Sequence, residues 1–244
     1  MTIYYKLARP DGWDFFTART INYREAVGGR VRAPREPGGA KLCAPGVLHA
    51  CRSPLDCLAG ARIPCSAYRV EGRPVVEDGK KYGFRSLRVI EEIQDLDALF
   101  GFSYAEALRP VNPLAVIRSD APPSDAELAL LSVWASVGDS VWASVWASVG
   151  ASVWALVWAS VRASVWASVR ASVRASVRDS VGAYVGSLFP GVERWADVEH
   201  PPGVYPFASG ADLWRRGLVP CYDGRGVWRL VAGPDAAVVW EGRL

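Results

Sequence analysis

Fourteen valines recur at every fourth position from Val133 to Val185 without a miss, and no other feature of the chain restricts its folds as strongly. The unit is Ser-Val-x-(Ala or Asp), and x is only Trp, Gly or Arg. A fixed period sets the architecture before any single residue does. Comparing the units works as an internal mutation series. Val never changes, and Ser changes only to Leu156 and Tyr184. The x position exchanges an indole, a guanidinium and a hydrogen atom. No close-packed site accepts all three, because interiors respond to a single methylene. Val is therefore expected inside, and x outside or against something adaptable. Trp, Arg and Gly codons also interconvert through one base, so replication slippage and drift yield the same pattern without selection.

Two conformations suit a period of four. In a helix each unit advances about 400°, so the Val row drifts about 40° per unit and circles a straight rod in about nine units. Only a strong right-handed supercoil would keep such a row on one partner. The alternative is a β-solenoid with four residues per side, since Val favours strands while Ser and Asp suit turns. The ends of the segment select the helix. Ser124-Asp-Ala-Glu127 forms a capping box that runs into Leu128, Leu130 and Leu131. Val181, Tyr184, Val185, Leu188 and Phe189 fall at i, i+3, i+4, i+7 and i+8 before Pro190-Gly191 stops them. The expectation is a helical repeat segment over 124–190, broken near Gly138 and Gly150, with the β-solenoid as the alternative. Ser140 to Val161 is 22 residues without a charge, long enough to span a bilayer. However, Ser, Ala, Gly and Trp supply little insertion energy, so a membrane is not the expected partner.

The flanks read differently, and together they give an α+β chain. Residues 1–110 form a small mixed α/β domain. Strands are expected at Ile3–Leu7, Ala44–Cys51, Ser66–Val70 and Arg85–Glu91, and a helix starts at Ser53-Pro-Leu-Asp56. Tyr23 to Gly39, rich in Gly, Pro and Arg, reads as a solvated loop. Residues 111–123, with Pro113, Pro122 and Pro123, read as a linker. Residues 191–244 read as a small β-meander with turns at Asp223-Gly224 and Gly233-Pro234-Asp235.

Composition excludes some classes. With 50% hydrophobic and 11% aromatic residues the chain is not disordered, and a net charge of +3 selects no partner. The opening Met1-Thr-Ile-Tyr-Tyr-Lys6 lacks the apolar core and cleavage site of a signal peptide. A cytoplasmic location, in a host cell or associated with a virion, follows, with Cys43, Cys51, Cys57, Cys65 and Cys221 as free thiols. The spacing C-x7-C-x5-C-x7-C lacks the close ligand pairs of a zinc site, and His49 and His200 are the only histidines. No phosphate loop or dinucleotide fingerprint appears, so no cofactor is expected. Glu77-Asp78 and Glu91-Glu92 are adjacent acids that face opposite ways on a strand. A Cys–His nucleophile from Cys51 or Cys57 with His49 is conceivable in spacing, yet no orienting acid is evident.

The repeat itself offers a second chemistry. Arg162, Arg170, Arg174 and Arg178 share one repeat phase, interleaved with Trp158 and Trp166. Cations beside stacking platforms suit a single-stranded nucleic acid. Four Arg with Asp179 carry little local charge, and phosphate-driven affinity scales with contacts.

Cys43-x-Pro-Gly-Val-Leu-His-Ala-Cys-Arg-Ser-Pro-Leu-Asp-Cys-Leu58, with Ala67-Tyr-Arg-Val-Glu71 and Val75-Val-Glu-Asp78, resembles an uncharacterised domain of phage and prophage proteins over about the first 95 residues. The tetrapeptide runs and the tail Asp212-Leu-Trp-Arg-Arg-Gly-Leu-Val-Pro220 are similar to the same group. Gly46-Val-Leu-His-Ala-Cys51 with its following helix also resembles the core strand of ADP-ribosyltransferases, which implies His49 as a candidate catalytic residue. The expected function is a non-catalytic structural or interaction protein of phage or mobile-element type. In that reading the repeat is a spacer or a surface for self-association or a protein partner. Nucleic-acid binding through Trp158 to Arg178, and an ADP-ribosyltransferase-like activity of the N-terminal domain, are the alternatives.

Overall fold

The computed structural model describes residues 2–17, 19–35, 40–118, 121–137, 141–149, 157–158, 161 and 177–244. It is a mixed α/β structure whose two sheets are both antiparallel. The chain divides into two compact units, Met1–Phe100 and Gly101–Leu244.

The first unit is built on a seven-stranded sheet. Its strands are β1 (Ile3–Ala8), β2 (Arg30–Arg32), β3 (Leu48–Cys51), β4 (Ser66–Glu71), β5 (Pro74–Glu77), β6 (Lys81–Phe84) and β7 (Ser86–Ile93). The strand order is β2-β7-β4-β1-β3-β6-β5, so the first strand of the sequence is the central one. It runs antiparallel to β4, with Tyr4 opposite Val70 and Lys6 opposite Tyr68, and to β3, with Tyr5 opposite Cys51. Side chains alternate faces along a strand, so Tyr4, Lys6 and Ala8 project together. All three are buried, and Tyr4 and Ala8 belong to a core that includes Tyr23, Leu48, Tyr68, Phe84 and Leu87. Alternation thus drives a lysine into the interior. The expected loop between Tyr23 and Gly39 contains β2, a three-residue edge strand whose Val31 is buried opposite Leu87. Its Arg-Val-Arg pattern is too short to stand out among Gly and Pro. Two short helices complete the unit, α1 (Pro54–Cys57), capped by the Ser53 hydroxyl, and α2 (Leu96–Phe100).

The second unit holds α3 (Tyr104–Leu108), α4 (Asp125–Ala135), α5 (Val141–Val149), α6 (Arg178–Gly186) and α7 (Ala208–Arg215). They accompany a three-stranded sheet of β8 (Val219–Tyr222), β9 (Trp228–Ala232) and β10 (Ala237–Gly242), with β9 in the middle. The capping box is formed: Ser124 Oγ accepts from the Glu127 amide, and the Glu127 carboxylate accepts from the Ser124 amide at 2.9 Å. The stretch expected as a linker contributes to the packing. Leu114, in a 3-10 turn over Pro113–Ala115, is buried. Val111 donates its amide to Tyr184 Oη at 2.8 Å and accepts from Trp214 Nε1 at 2.9 Å. Helix α7, which sequence patterning left inside the meander region, carries Trp214 onto Tyr184 in a stacked pair at 5.7 Å.

Every described residue of the repeat between Val141 and Val161 is helical, as is α6. Helix α4 ends at Ala135 and α5 starts at Val141, which separates two helices around the expected break at Gly138, itself outside the described residues together with Gly150. Val141, Val145, Val157, Val161, Val177, Val181 and Val185 are buried, as the invariant position predicts. Val133 departs from this: it is exposed, while Trp134 beside it is buried. In α4 the buried positions are Glu127, Leu131 and Trp134, a 3.6-residue spacing that leaves Val133 on the outside.

Glycines make the helix contacts close. A side chain at Gly182 would meet the Trp142 Cα at 3.3 Å, and one at Gly210 would meet the Trp134 ring at 2.5 Å. The indoles of two repeat units therefore lie on helices α6 and α7 where no Cβ stands between. The Ser position supplies hydrogen bonds to neighbouring segments. Ser144 Oγ donates to the Ala196 carbonyl, Ser148 Oγ accepts from the Ala196 amide at 2.8 Å, and Ser180 Oγ donates to the Pro220 carbonyl at 3.3 Å.

Candidate functional site

In the first unit a cavity of about 290 Å³ opens beside β1, β3 and the loop before β3. Apolar surface supplies most of its wall through Phe16, Pro34, Pro45, Val47 and Leu48, and its polar groups are Lys6, Asp14, Thr17, Cys43, His49 and Lys81. Lys6 Nζ and Asp14 Oδ2 stand 2.6 Å apart with both side chains under a tenth exposed. Burial alone lowers the pKa of an ammonium, but the neighbouring Tyr23 and Asp14 outweigh it and raise Lys6. Burial also raises the Tyr23 phenol to about 12, so it is neutral at physiological pH and the charge that faces Lys6 is the Asp14 carboxylate. Asp14 is likewise held against burial: Lys6 and the amides of Phe16 and Thr17 keep its pKa below the ordinary carboxylate value.

His49 lies on β3 across from Gly83 of β6. Its Nε2 accepts the Cys43 amide at 2.9 Å, which places the proton of the neutral ring on Nδ1. Burial first, then the charges of Lys81 and Lys6, push its pKa down to about 4. The ring is thus neutral at physiological pH, and the lone pair that a general base needs is engaged by a backbone donor. Cys43 itself has φ of +60°, a left-handed conformation rare outside Gly and Asn, at the rim of the cavity. Lys81 Nζ contacts Cys43 Sγ at 3.2 Å. No acid reaches ion-pair distance of Lys81 among the described residues; the Asp78 carboxylate accepts the amides of Lys80 and Lys81 instead.

Cys57 Sγ donates to the Tyr5 carbonyl at 3.1 Å, and a hydrogen bond with Cys51, with burial second, raises its pKa steeply. Among the described residues no three His, Cys, Asp or Glu side chains form a group able to hold a metal. The adjacent acids Glu91 and Glu92 bind Arg69 and Arg24 at 2.6 and 2.7 Å, the first pair across β4 and β7 and the second from the turn before β2.

Of the repeat residues singled out for binding, Arg162, Trp166, Arg170 and Arg174 lie outside the described residues. Trp158 and Arg178 are brought together by a third residue that sequence reasoning passed over. The Trp158 ring meets Trp142 edge-on at 4.6 Å, and the Arg178 guanidinium lies over the Trp142 ring at 4.9 Å. Trp142 also donates its amide to Asp179 at 3.3 Å, so the carboxylate caps the first turn of α5. Arg178 and Trp158 thus share Trp142 as a neighbour, and Arg178 remains exposed. Trp146, on the same repeat position, is half exposed.

Lys6, Asp14, Thr17 and Lys81 were not foreseen as cavity residues. The available signal was a lone Lys on the apolar face of a strand that alternates Tyr4, Lys6 and Ala8. No helix among the described residues is long and apolar enough to cross a membrane. No protein-family model, curated protein or solved structure matches the chain.

Proposed function

We propose that the chain is a non-catalytic interaction protein of phage or mobile-element type, acting in the cytoplasm or on a virion, whose tetrapeptide repeat is an assembly surface carried between a mixed N-terminal domain and a C-terminal meander. The observation that carries this reading is the division of labour inside the unit. Val turns inward at Val141 and Val145, while Trp146, in the same helix, leaves half its indole in water. An exposed indole on a surface that swaps Trp, Arg and Gly suits a partner, and a second copy of the chain is the simplest one. The engaged lone pair of His49 supports a non-catalytic role for the N-terminal domain.

Size-exclusion chromatography with light scattering, read at 260 and 280 nm, tests this on the full-length chain. The expected result is a nucleic-acid-free species larger than the 26.5 kDa chain, reduced in size by Trp146→Ser. A concentration-independent monomer refutes it. A 260 nm-rich peak that collapses at high salt replaces it with nucleic-acid binding through the Arg and Trp of the repeat.

A further inference from the structure

The cavity of the first unit has a charge and a shape of its own. Lys6 and Asp14 neutralise each other at 2.6 Å, which leaves Lys81 as the uncompensated charge among its lining residues. Thr17 Oγ1 is buried with no hydrogen-bond partner among the described residues, although Thr17 lines the same cavity. A buried hydroxyl left unpaired costs free energy that a ligand acceptor would recover. His49 Nε2 is taken by the Cys43 amide, so its Nδ1–H is a further donor, with no acceptor among the described residues. One cation, two neutral donors and walls that are mostly apolar describe a receptor for a single negative charge attached to an apolar body. At about 290 Å³ the space is near the lower end of small-molecule sites, roughly 300–1,000 Å³.

We propose that this cavity binds a small monocarboxylate with a compact apolar body, its carboxylate on Lys81 and Thr17 and its body against Phe16, Pro45, Val47 and Leu48. A phosphate monoester, with up to two charges near neutral pH, exceeds what one free ammonium balances. The neutral His49 fits the assignment, since an imidazolium would add a second cation. The proposal is independent of the assembly role and does not require the repeat.

Phenylacetate, with about ten non-hydrogen atoms, is the probe, and ligands of this size bind in the micromolar to millimolar range. Calorimetry on the full-length protein is expected to show saturable binding with about one site. Lys81→Gln should weaken it about tenfold or more and Lys81→Arg much less, while phenylacetamide, equal in shape but uncharged, should bind about tenfold more weakly. Thr17→Val, which keeps the shape and removes the orphan hydroxyl, should weaken binding several-fold without lowering the melting temperature. A second readout is the His49 imidazole, one of two in the chain, whose NMR titration midpoint should rise when phenylacetate saturates the cavity, because an anion opposes the effect of Lys81. No saturable binding at about 10 mM overturns the proposal. So does equal affinity for phenylacetate and phenylacetamide, or an unchanged affinity in a folded Lys81→Gln protein. Inorganic phosphate that displaces phenylacetate at equal concentration overturns the carboxylate assignment.

Discussion

Replacing Asp14 by Asn isolates the energetic role of one buried charge. The Asn side chain keeps the shape of Asp14 and an oxygen for the Phe16 and Thr17 amides, now 2.9 and 3.0 Å from Oδ1. The oxygen that faces Lys6 becomes an amide nitrogen, so the negative charge and the hydrogen bond from Lys6 are lost together. With both side chains under a tenth exposed, water cannot take over. Breaking such a pair costs about 3–5 kcal/mol, because the remaining charge stays buried without compensation. A domain of this size has about 5–15 kcal/mol in all, so the change removes a large part of its stability. Near the transition each kcal/mol moves the melting temperature of a unit of this size by about 4–8 °C, so a fall on the order of 20 °C is expected. Hydrogen exchange of the β4 amides against urea reports this unit separately from the second. The double variant Asp14→Asn/Lys6→Met removes both charges and should recover most of the loss, since an apolar replacement of a buried pair is often neutral. The pH dependence has a definite sign. Because the folded state lowers the Asp14 pKa, the pair's stability is complete above the ordinary carboxylate range and is lost as pH falls through the depressed value. A loss below about 1 kcal/mol for Asp14→Asn would refute the reasoning, since that is the range of an exposed pair.

Three further substitutions test the second unit. Gly186→Ala places a methyl 2.9 Å from Val145 Cγ2 and against the Tyr205 hydroxyl, and should cost about 1–3 kcal/mol in calorimetry. Trp134→Ala empties the space over Gly210 and should cost about 3–5 kcal/mol in urea unfolding. Glu127→Gln loses the paired contacts to Arg118 at 2.7 and 3.2 Å, for about 1.5–3 kcal/mol at neutral pH. Arg118 and the Ser124 groups hold the Glu127 pKa down to about 2. The difference between wild type and Glu127→Gln should therefore close as pH falls from about 4.5 to about 2, and a pH-independent difference excludes the ion pair as its origin.

Local signals in the sequence carried through to the structure where one chain segment decides the outcome. The Ser124–Glu127 capping box, the Ser53 helix start and the alternation of Ser66–Val70 need no distant partner to be read. The meander strands were legible for the same reason, with turns at Asp223-Gly224 and Gly233-Pro234 between them. Tertiary partners decided the rest. β2 is a strand because β7 offers its edge, and the proline-rich 111–123 stretch packs because Tyr184 and Trp214 bind both polar groups of Val111. The cavity was invisible for a different reason. Its residues come from β1, the Asp14–Thr17 turn, Pro34 after β2, the Cys43–His49 stretch that leads into β3, and β6, five segments with no common spacing. His49 was singled out by a resemblance and by its spacing from Cys51, and only its partner, the Cys43 amide, shows that its lone pair is engaged.

The mismatch between the four-residue unit and the helical turn works like a vernier. In α5 the first two valines, Val141 and Val145, are buried, and the third, Val149, is already partly exposed. Two units of drift, about 80°, suffice to begin turning the row out of the interface. A helix built from this unit must therefore be short, or be enclosed on all sides as α6 is from Ser180 to Gly186. Each break restarts the scale and lets the next valine row face its own neighbour. Duplication or loss of one unit, the natural copying error of such a tract, shifts everything beyond it by about 6 Å and 40° within a continuous helix. Copy-number change is thus geometrically mild between helices and severe inside α5 or α6, so the permitted lengths of the tract are set by where its helices stop.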